Sequence, residues 1–569
     1  MVRIAPCTAD STTLWPMVIA GSCSVRCSHT LAFSSRAPAK KQPILVPSHD
    51  APSCCQPLEV AATLPSPLSL VSAFVPLPLG QRIPASLHAV SCSLPTMGAI
   101  HGYEQKDPAI TRHLTSGYPR FVVHPLLQEL ATDIARQQEL TGQKLWLTSS
   151  AKMADRLAAH LGATHVSRVS DHGVHGIAHP PTPELTGRAK LFLQNVGGFL
   201  SSRAAEDELV RRGLRAAPEP EARFSGDALA EVRRQLHPAF PGSAPADLLL
   251  ANCGMNAVDA AFRAIAELQA ARGRTRWIQL GWLYLDTIAI LQKFTRTPGD
   301  YVHVTDVFDL AALEKVLADH PGRIAGIVAE VPTNPLIQTP DVAAIARLAR
   351  HHGAAVILDP SIASAFNLEV LPHADVVVTS LTKYAASDGD LTAGLVVVNH
   401  AGPDAAALRR LVAGKIEPLP ARDLARLALE IGRTPALLAR LHASVPPIVA
   451  FLEQHPAVRD VFWALHPASR ANYQRLARAP GAVGGMITFT LRGSLERFYD
   501  RLRLPKGPSF GMTTTLICPF MYLAHYDLVT TEAGRAELAA SGRDPDLLRL
   551  SIGTEPVADI IAALSEALS

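Results

Sequence analysis

Three short apolar runs are each followed by polar residues whose types suggest a chemistry. Asp359 comes directly after Ala355 to Leu358, Ser380, Leu381, Thr382 and Lys383 come after Val376 to Thr379, and Glu330 to Asn334 (Glu-Val-Pro-Thr-Asn) comes after Ala325 to Ala329. Singly these are unremarkable, because an Asp before Pro360 commonly starts a turn and a Lys past an apolar run is usually solvated. Together they supply a carboxylate to pair with a pyridinium nitrogen, a lysine able to form a Schiff base and hydroxyls to hold a phosphate. Those are the groups that pyridoxal 5'-phosphate requires.

The elements that must position these residues follow from pattern. Nearly continuous apolar runs of four or five residues suit strands buried on both faces of a parallel sheet. Helical patterns lie between them. The clearest begins at Asp341, carries Val342, Ile345 and Leu348 on one stripe and ends at Gly353. Strand and helix in alternation predict a helix-flanked α/β sheet, whose ligands collect at the carboxyl ends of the strands. Upstream, Asn252 to Ala257 contains Gly254 just before the helical pattern of Val258 to Leu268, an arrangement suited to an anion. Downstream, Gly484 to Leu491 alternates as a strand, Ser494 to Leu502 reads as a helix, and Val557 to Leu568 is an amphipathic helix.

Composition narrows the class. The 569 residues are 48% hydrophobic and 18% charged with a formal charge of +3, a globular balance. The six bases and three acids before Met97 account for that charge, so the body is neutral and has no electrostatic footprint for nucleic acid or an anionic membrane. Six of the eight cysteines also precede Met97, and two distant thiols in the rest are no disulfide framework, which points to a reduced, cytoplasmic protein. No stretch reaches roughly 18 uninterrupted apolar residues, so no membrane anchor is expected. Residues 1–96, with 13 prolines and 14 serines, are expected to be a disordered leader: sequence upstream of a start at Met97 or, alternatively, an organelle transit peptide. Residues 97–245 read as an N-terminal arm with an α/β insertion. The insertion has strands at Lys144 to Thr148 and Thr164 to Val169, a helix at Ala151 to Leu161 and mostly helix from Leu191 to Leu214. The run Asp171 to His179, with three histidines, reads as a polar loop rather than a metal site, because its glycines break any helical face and no cysteine or regular ligand pair supports it.

The spacing of Asp359 and Lys383, in the contexts Val-Ile-Leu-Asp-Pro-Ser and Asp-Val-Val-Val-Thr-Ser-Leu-Thr-Lys-Tyr, resembles the Cys/Met-metabolism family of pyridoxal-phosphate enzymes. Further likenesses follow in the family's order: Glu330 to Pro335 (Glu-Val-Pro-Thr-Asn-Pro), Cys253-Gly-Met, and Arg549 to Glu555 (Arg-Leu-Ser-Ile-Gly-Thr-Glu). The long form, with Ser-Gly-Tyr-Pro-Arg-Phe at Ser116 to Phe121, is most similar to the fungal-type cystathionine γ-synthases.

The resemblance implies the fold-type-I architecture of aspartate-aminotransferase-like transferases: a large cofactor domain at 246–440 with a mostly parallel sheet, and a smaller α+β domain at 441–569. It implies that Lys383 links to the cofactor and moves protons, that Asp359 holds the ring nitrogen, and that Gly254, Met255, Ser380 and Thr382 bind the phosphate. Asn334 would reach the ring oxygen, Tyr284 would stack on the ring, and Arg549 would take the substrate carboxylate. Tyr118 and Arg120 would reach the phosphate of a neighbouring subunit, making a homodimer or homotetramer with shared sites. The implied substrates are amino acids, and the implied reaction is γ-replacement on an O-acylhomoserine by cysteine, with a cystathionine lyase or a sulfhydrylase as variants of the same chemistry. An idle relative using the fold for binding is the reading from another class. The chain departs from the family at Tyr-Leu-Asp-Thr after Leu283, where the family has Tyr-Gly-Gly-Thr, at Pro360-Ser361, where it has Asn-Thr, and at Thr514, where it has a glutamate that would influence substrate choice.

Overall fold

The computed structural model describes residues 73–569 apart from Pro119, Arg120 and Ala163. The leader expected at 1–96 therefore lies outside the described residues as far as position 72. From 73 to 96 the structure departs from that expectation. Strands β1 (Arg82–Ile83) and β2 (Ser91–Cys92) pair antiparallel, Ile83 and Val90 pack on Met512 and Leu516, and Leu94 is buried in the main core. The Met97 amide donates to Asp500 Oδ1 at 2.8 Å, so Met97 sits inside a packed segment rather than at a boundary. The prolines and serines here mark short turns over a scaffold supplied by the far end of the chain, a long-range contact with no periodic signature.

The insertion forms a three-stranded antiparallel sheet of β3 (Lys144–Thr148), β4 (Ser167–Asp171) and β5 (Val174–His179), in the order β3-β5-β4. Asp171 to His179, expected as a loop, is a hairpin. His172 and Gly173 both take positive φ, the two-residue turn whose twist matches antiparallel strands. His179, fully buried, accepts from Trp146 Nε1 at 2.9 Å and has its other ring nitrogen 2.6 Å from the Pro180 carbonyl, which makes it a core histidine. Helices Ala151–Leu161, Pro183–Val196 and Ser202–Arg211 cover the sheet.

The central sheet has seven strands: β6 (Leu248–Ala251), β7 (Arg276–Leu280), β8 (Tyr301–Val304), β9 (Ile324–Glu330), β10 (Ala355–Asp359), β11 (Val376–Ser380) and β12 (Gly394–Val398). Their order is β6-β12-β11-β10-β9-β7-β8, with β12 antiparallel to both neighbours and the rest parallel. Both faces are buried, as the continuous apolar runs require: along β10, Ala355 and Ile357 enter one core cluster, and Val356 and Leu358 the other. Asp341 caps the helix Val342–His352, and Gly353 ends it in the left-handed region.

The last sheet contains β13 (Val458–Trp463), β14 (Met486–Leu491), β15 (Leu516–Pro519) and β16 (Leu548–Ser551), all antiparallel in the order β13-β14-β16-β15. A boundary at 441 falls within the helix Thr434–Gln454, whose Leu441, Val445, Ile448 and Leu452 are buried. By length and composition the helical run Ala421–Gln454 could cross a membrane; here those side chains belong to the core that runs under both sheets.

Candidate active site

Parallel pairing brings the carboxyl ends of β9 and β10 together in register, with Glu330 opposite Asp359 and Ser380 ending the adjacent β11. Ser361 organises this edge. Its backbone N–H and Oγ donate to Asp359 Oδ1 at 2.9 and 2.5 Å, and its Oγ accepts from the Ser380 N–H at 2.8 Å. Burial pushes the Asp359 carboxyl up to about 6 against those two hydrogen bonds. Burial, reinforced by the neighbouring Asp359 charge, holds the Glu330 carboxyl well above its ordinary range. Glu330 Oε1 accepts from the Tyr284 N–H at 2.5 Å, fixing the start of the helix Leu285–Phe294.

Lys383 follows β11 in a turn. Its Nζ contacts the Tyr118 hydroxyl, lies 3.3 Å from Ser509 Oγ and sits 4.6 Å from the centre of the Phe510 ring. Among the described residues no carboxylate lies within ion-pair distance of it. Burial, with a smaller contribution from the charge of Arg549, lowers its pKa well below that of an ordinary lysine. Desolvation thus favours the neutral, nucleophilic form of the amine.

Opposite these groups, Cys253 is extended and Gly254 opens the helix Gly254–Ala270, so the first free N–H groups of a 17-residue helix face the end of β11. A Cβ on Gly254 would stand 2.9 Å from the Ser380 Cβ, which is closer than packing allows. The space between the helix start and Ser380 exists because the residue is glycine. Thr382 Oγ1 is held by the Ala393 amide at 3.0 Å and carbonyl at 3.3 Å. Tyr118, Gly254, Met255, Tyr284, Glu330, Asn334, Asp359, Ser380, Thr382, Lys383 and Arg549 all line one cavity of about 230 Å³. A desolvated amine without a counter-ion, a buried carboxyl raised toward neutrality and an anion cradle that a methyl group would close fit pyridoxal 5'-phosphate.

Arg549 on β16 is buried, donates to the Pro508 carbonyl at 2.8 Å and to Asn334 Oδ1 at 3.4 Å, and lies over the rings of Phe510 and Phe520. Tyr118, which by resemblance would serve a neighbouring subunit, lines the cavity of its own chain and hydrogen-bonds Ser509 and Lys383; Arg120 lies outside the described residues. Thr514, expected near the substrate, is not among the cavity's lining residues, and Phe510, Phe520 and Leu523 form that wall instead. Sequence reasoning also missed Ser361, Ser509 and the full role of Glu330. Only Glu330 had a local signal, as the first residue of a motif after an apolar run.

Comparison with known proteins agrees with this reading. Residues 243–569 match the family described as Cys/Met metabolism PLP-dependent enzyme. An L-2-amino-4-chloropent-4-enoate dechlorinase/desaturase of Streptantibioticus cattleyicolor is 42% identical over 474 residues, 83% of this chain and 94% of that protein. The cystathionine γ-synthase of Neurospora crassa is 27% identical, over 87% of this chain and 98% of its own length. The crystal structure of cystathionine γ-lyase from Lactobacillus plantarum complexed with L-serine superposes with a TM-score of 0.51 at 24% identity, covering 60% of this chain and 86% of that one.

Proposed function

Because the chain belongs to the Cys/Met metabolism family of pyridoxal-phosphate-dependent enzymes, we propose that it eliminates a compact leaving group from Cγ of a small L-2-amino acid. The observation that carries this reading is the wall around Arg549. The Arg549 guanidinium faces the cavity beside Phe510, Phe520 and Leu523, an anchor for an α-carboxylate with an apolar surface for the side chain.

Pyridoxal 5'-phosphate, held by Lys383, Asp359 and the Gly254 helix start, supplies a sink for the negative charge that develops on the substrate carbons. Arg549 fixes the carboxylate and so aims the Cα–H bond. Lys383 Nζ, whose neutral form burial favours, takes the proton from Cα and then moves a proton at Cβ. Tyr118 and Ser509 hold that amine by hydrogen bonds and limit where it can swing. Asp359, steadied by Ser361, offers its carboxyl to the ring nitrogen. Loss of the γ substituent as an anion, with proton transfer balancing the charge, leaves an unsaturated amino acid. The S. cattleyicolor relative is named for such a dechlorination and desaturation.

A second reading, γ-replacement on O-acylhomoserine by cysteine, is favoured by the nearly end-to-end likeness to the N. crassa cystathionine γ-synthase. The deciding experiment incubates the holoenzyme with L-2-amino-4-chloropent-4-enoate, following chloride release, and separately with O-acetyl- or O-succinylhomoserine with and without cysteine. Chloride release with an unsaturated product supports elimination. Cystathionine formation without chloride release transfers the assignment to replacement, and no turnover of any of them sinks both.

A further inference from the structure

The α/β insertion lines the cofactor cavity with Leu193, Gln194 and Gly197 at one helix end and with Phe199 to Arg203 after it. Helix Pro183–Val196 terminates at Gly197 in the left-handed region, and this last turn meets both segments that face the cofactor. On one side the Val196 and Gly197 carbonyls accept from Asn256 Nδ2 at 3.3 Å and Asn252 Nδ2 at 2.9 Å, which flank the Gly254 cradle. A Cβ on Gly197 would lie 2.4 Å from Cys253 Sγ and 2.7 Å from the Asn256 nitrogen, so the two helices meet backbone to backbone. On the other side, Gln194 Nε2 and Asn195 Nδ2 both donate to Asp286 Oδ1 at 2.8 Å. Asp286 is buried in the first turn of the helix that Tyr284 begins. Lys293 Nζ, 3.3 Å from Asn195 Oδ1, sets which way that amide points. Asp286 is also one of the two residues that stand where the resemblance places paired glycines after the tyrosine, so this acceptor departs from the family pattern.

We propose that the turn from Gln194 to Gly197 is a positioning element of the cofactor site: by gripping Asp286 on one side and the Asn252–Asn256 helix start on the other, it sets how far the Tyr284 ring stands from the phosphate cradle. The insertion is then a structural wall of the active site, and Gln194, Asn195 and Asp286 are positioning residues that need not touch substrate. This inference rests on the cofactor reading of the cavity and is independent of which amino acid is turned over.

The test is a donor–acceptor swap read by cofactor binding to apoprotein and by the visible circular dichroism of the bound cofactor, which reports how the ring is held. Asn195→Asp sets a carboxylate against Asp286 and is expected to weaken pyridoxal phosphate binding by about tenfold or more and to diminish the dichroism. Adding Asp286→Asn restores a donor–acceptor pair in reverse and is expected to bring affinity back to within about threefold of wild type. Wild-type affinity and dichroism in Asn195→Asp, or a loss that the double variant leaves in place, overturns the proposal. Should Asn195→Asp fail to fold, the half-buried Gln194→Ala decides: a loss of affinity of about threefold with unchanged apoprotein melting supports the proposal, and unchanged affinity overturns it. Because cofactor binding is measured without substrate, a wild-type protein that binds cofactor but turns over none of the tested amino acids refutes the proposed function and leaves this inference standing.

Discussion

Two clusters of buried ionisable side chains treat charge in opposite ways. At the ends of the central strands, Lys383, Asp359 and Glu330 have no opposite charge within ion-pair distance among the described residues, and burial moves each toward its neutral form. Where the insertion meets the body, Arg203 pairs with Glu221, Asp390 and Asp423, while Arg422 pairs with Glu206 and Glu221. There the guanidinium pKa values of Arg203, Arg422 and Arg426 rise and the carboxyls of Glu206 and Glu221 fall, as paired charges should. Two carboxyls run the other way: burial raises that of Asp423, and burial with the nearby Asp390 and Asp388 pushes Glu430 up to about 8. The first cluster is incomplete as protein and is completed by a ligand. The second is complete in itself and joins the insertion to the body.

That contrast predicts where substitutions act. The largest effect belongs to Lys383→Ala, which removes the amine that both links to cofactor and moves protons. Turnover is expected to fall by at least roughly 10⁴-fold, about 5.5 kcal/mol of transition-state stabilisation. Borohydride should fix the cofactor covalently in wild type and not in the variant, and a variant with the wild-type rate would refute the assignment. Next is Arg203→Met in the paired cluster. It removes the guanidinium paired with Asp423 and one of the two paired with each of Glu221 and Asp390, so unfolding experiments should show a loss of about 3–5 kcal/mol. A loss below about 1 kcal/mol would mean that the cluster is not the paired network described.

The unpaired cluster was largely legible in the sequence and the paired one was not, for a physical reason. Asp359, Ser380 and Lys383 each follow a continuous apolar run, and parallel strands deliver the residues after them to one edge, so order along the chain becomes proximity in space. The helix ending at Gly353 and the strand over Met486–Leu491 carried equally local signals. Arg203 meets Asp390 and Asp423 across 187 and 220 positions, a pairing that no period announces. The hairpin at Asp171 to His179 has the sequence of a loop, because a turn of the kind His172 and Gly173 form looks like any glycine-containing breaker. Residues 82–92 carry no local sign of order because their partners, Met512 and Leu516, lie over 400 positions downstream.

A smaller effect, and one with a sign in pH, follows from Asp359. Its folded pKa of about 6 lies above the ordinary 3.8, so the folded apoprotein holds this proton more tightly than the unfolded chain does. The contribution to stability is fully present below the ordinary value and is lost as pH rises through 6, leaving a cost of up to about 3 kcal/mol above that range. Cofactor-free Asp359→Asn should therefore be more stable than wild type at about pH 8, by at most that amount, and the difference should shrink toward about pH 4. The same variant is expected to turn over about 100-fold more slowly, because a neutral amide no longer holds the ring nitrogen protonated. Equal stability of the two apoproteins across that range would show that Asp359 is not held in a desolvated state.

The smallest effect separates the two ways of locating substrate choice. By resemblance Thr514 occupies a position that influences the substrate, whereas the cavity wall beside Arg549 is Phe510, Phe520 and Leu523. An apolar wall discriminates by shape, and trimming one ring opens room where the side chain of the amino acid lies. Phe520→Ala should change the ratio of kcat/KM values for a chlorinated and an O-acylated substrate by about tenfold. Thr514→Glu should change it by less than about threefold, under 0.7 kcal/mol, because Thr514 is not among the residues that line the cavity. Measuring both ratios on the holoenzyme orders the two positions. If Thr514→Glu shifts the ratio more than Phe520→Ala does, the substrate's side chain extends toward the 509–516 loop, and the unpaired cluster acts on a longer molecule than the cavity around Arg549 suggests.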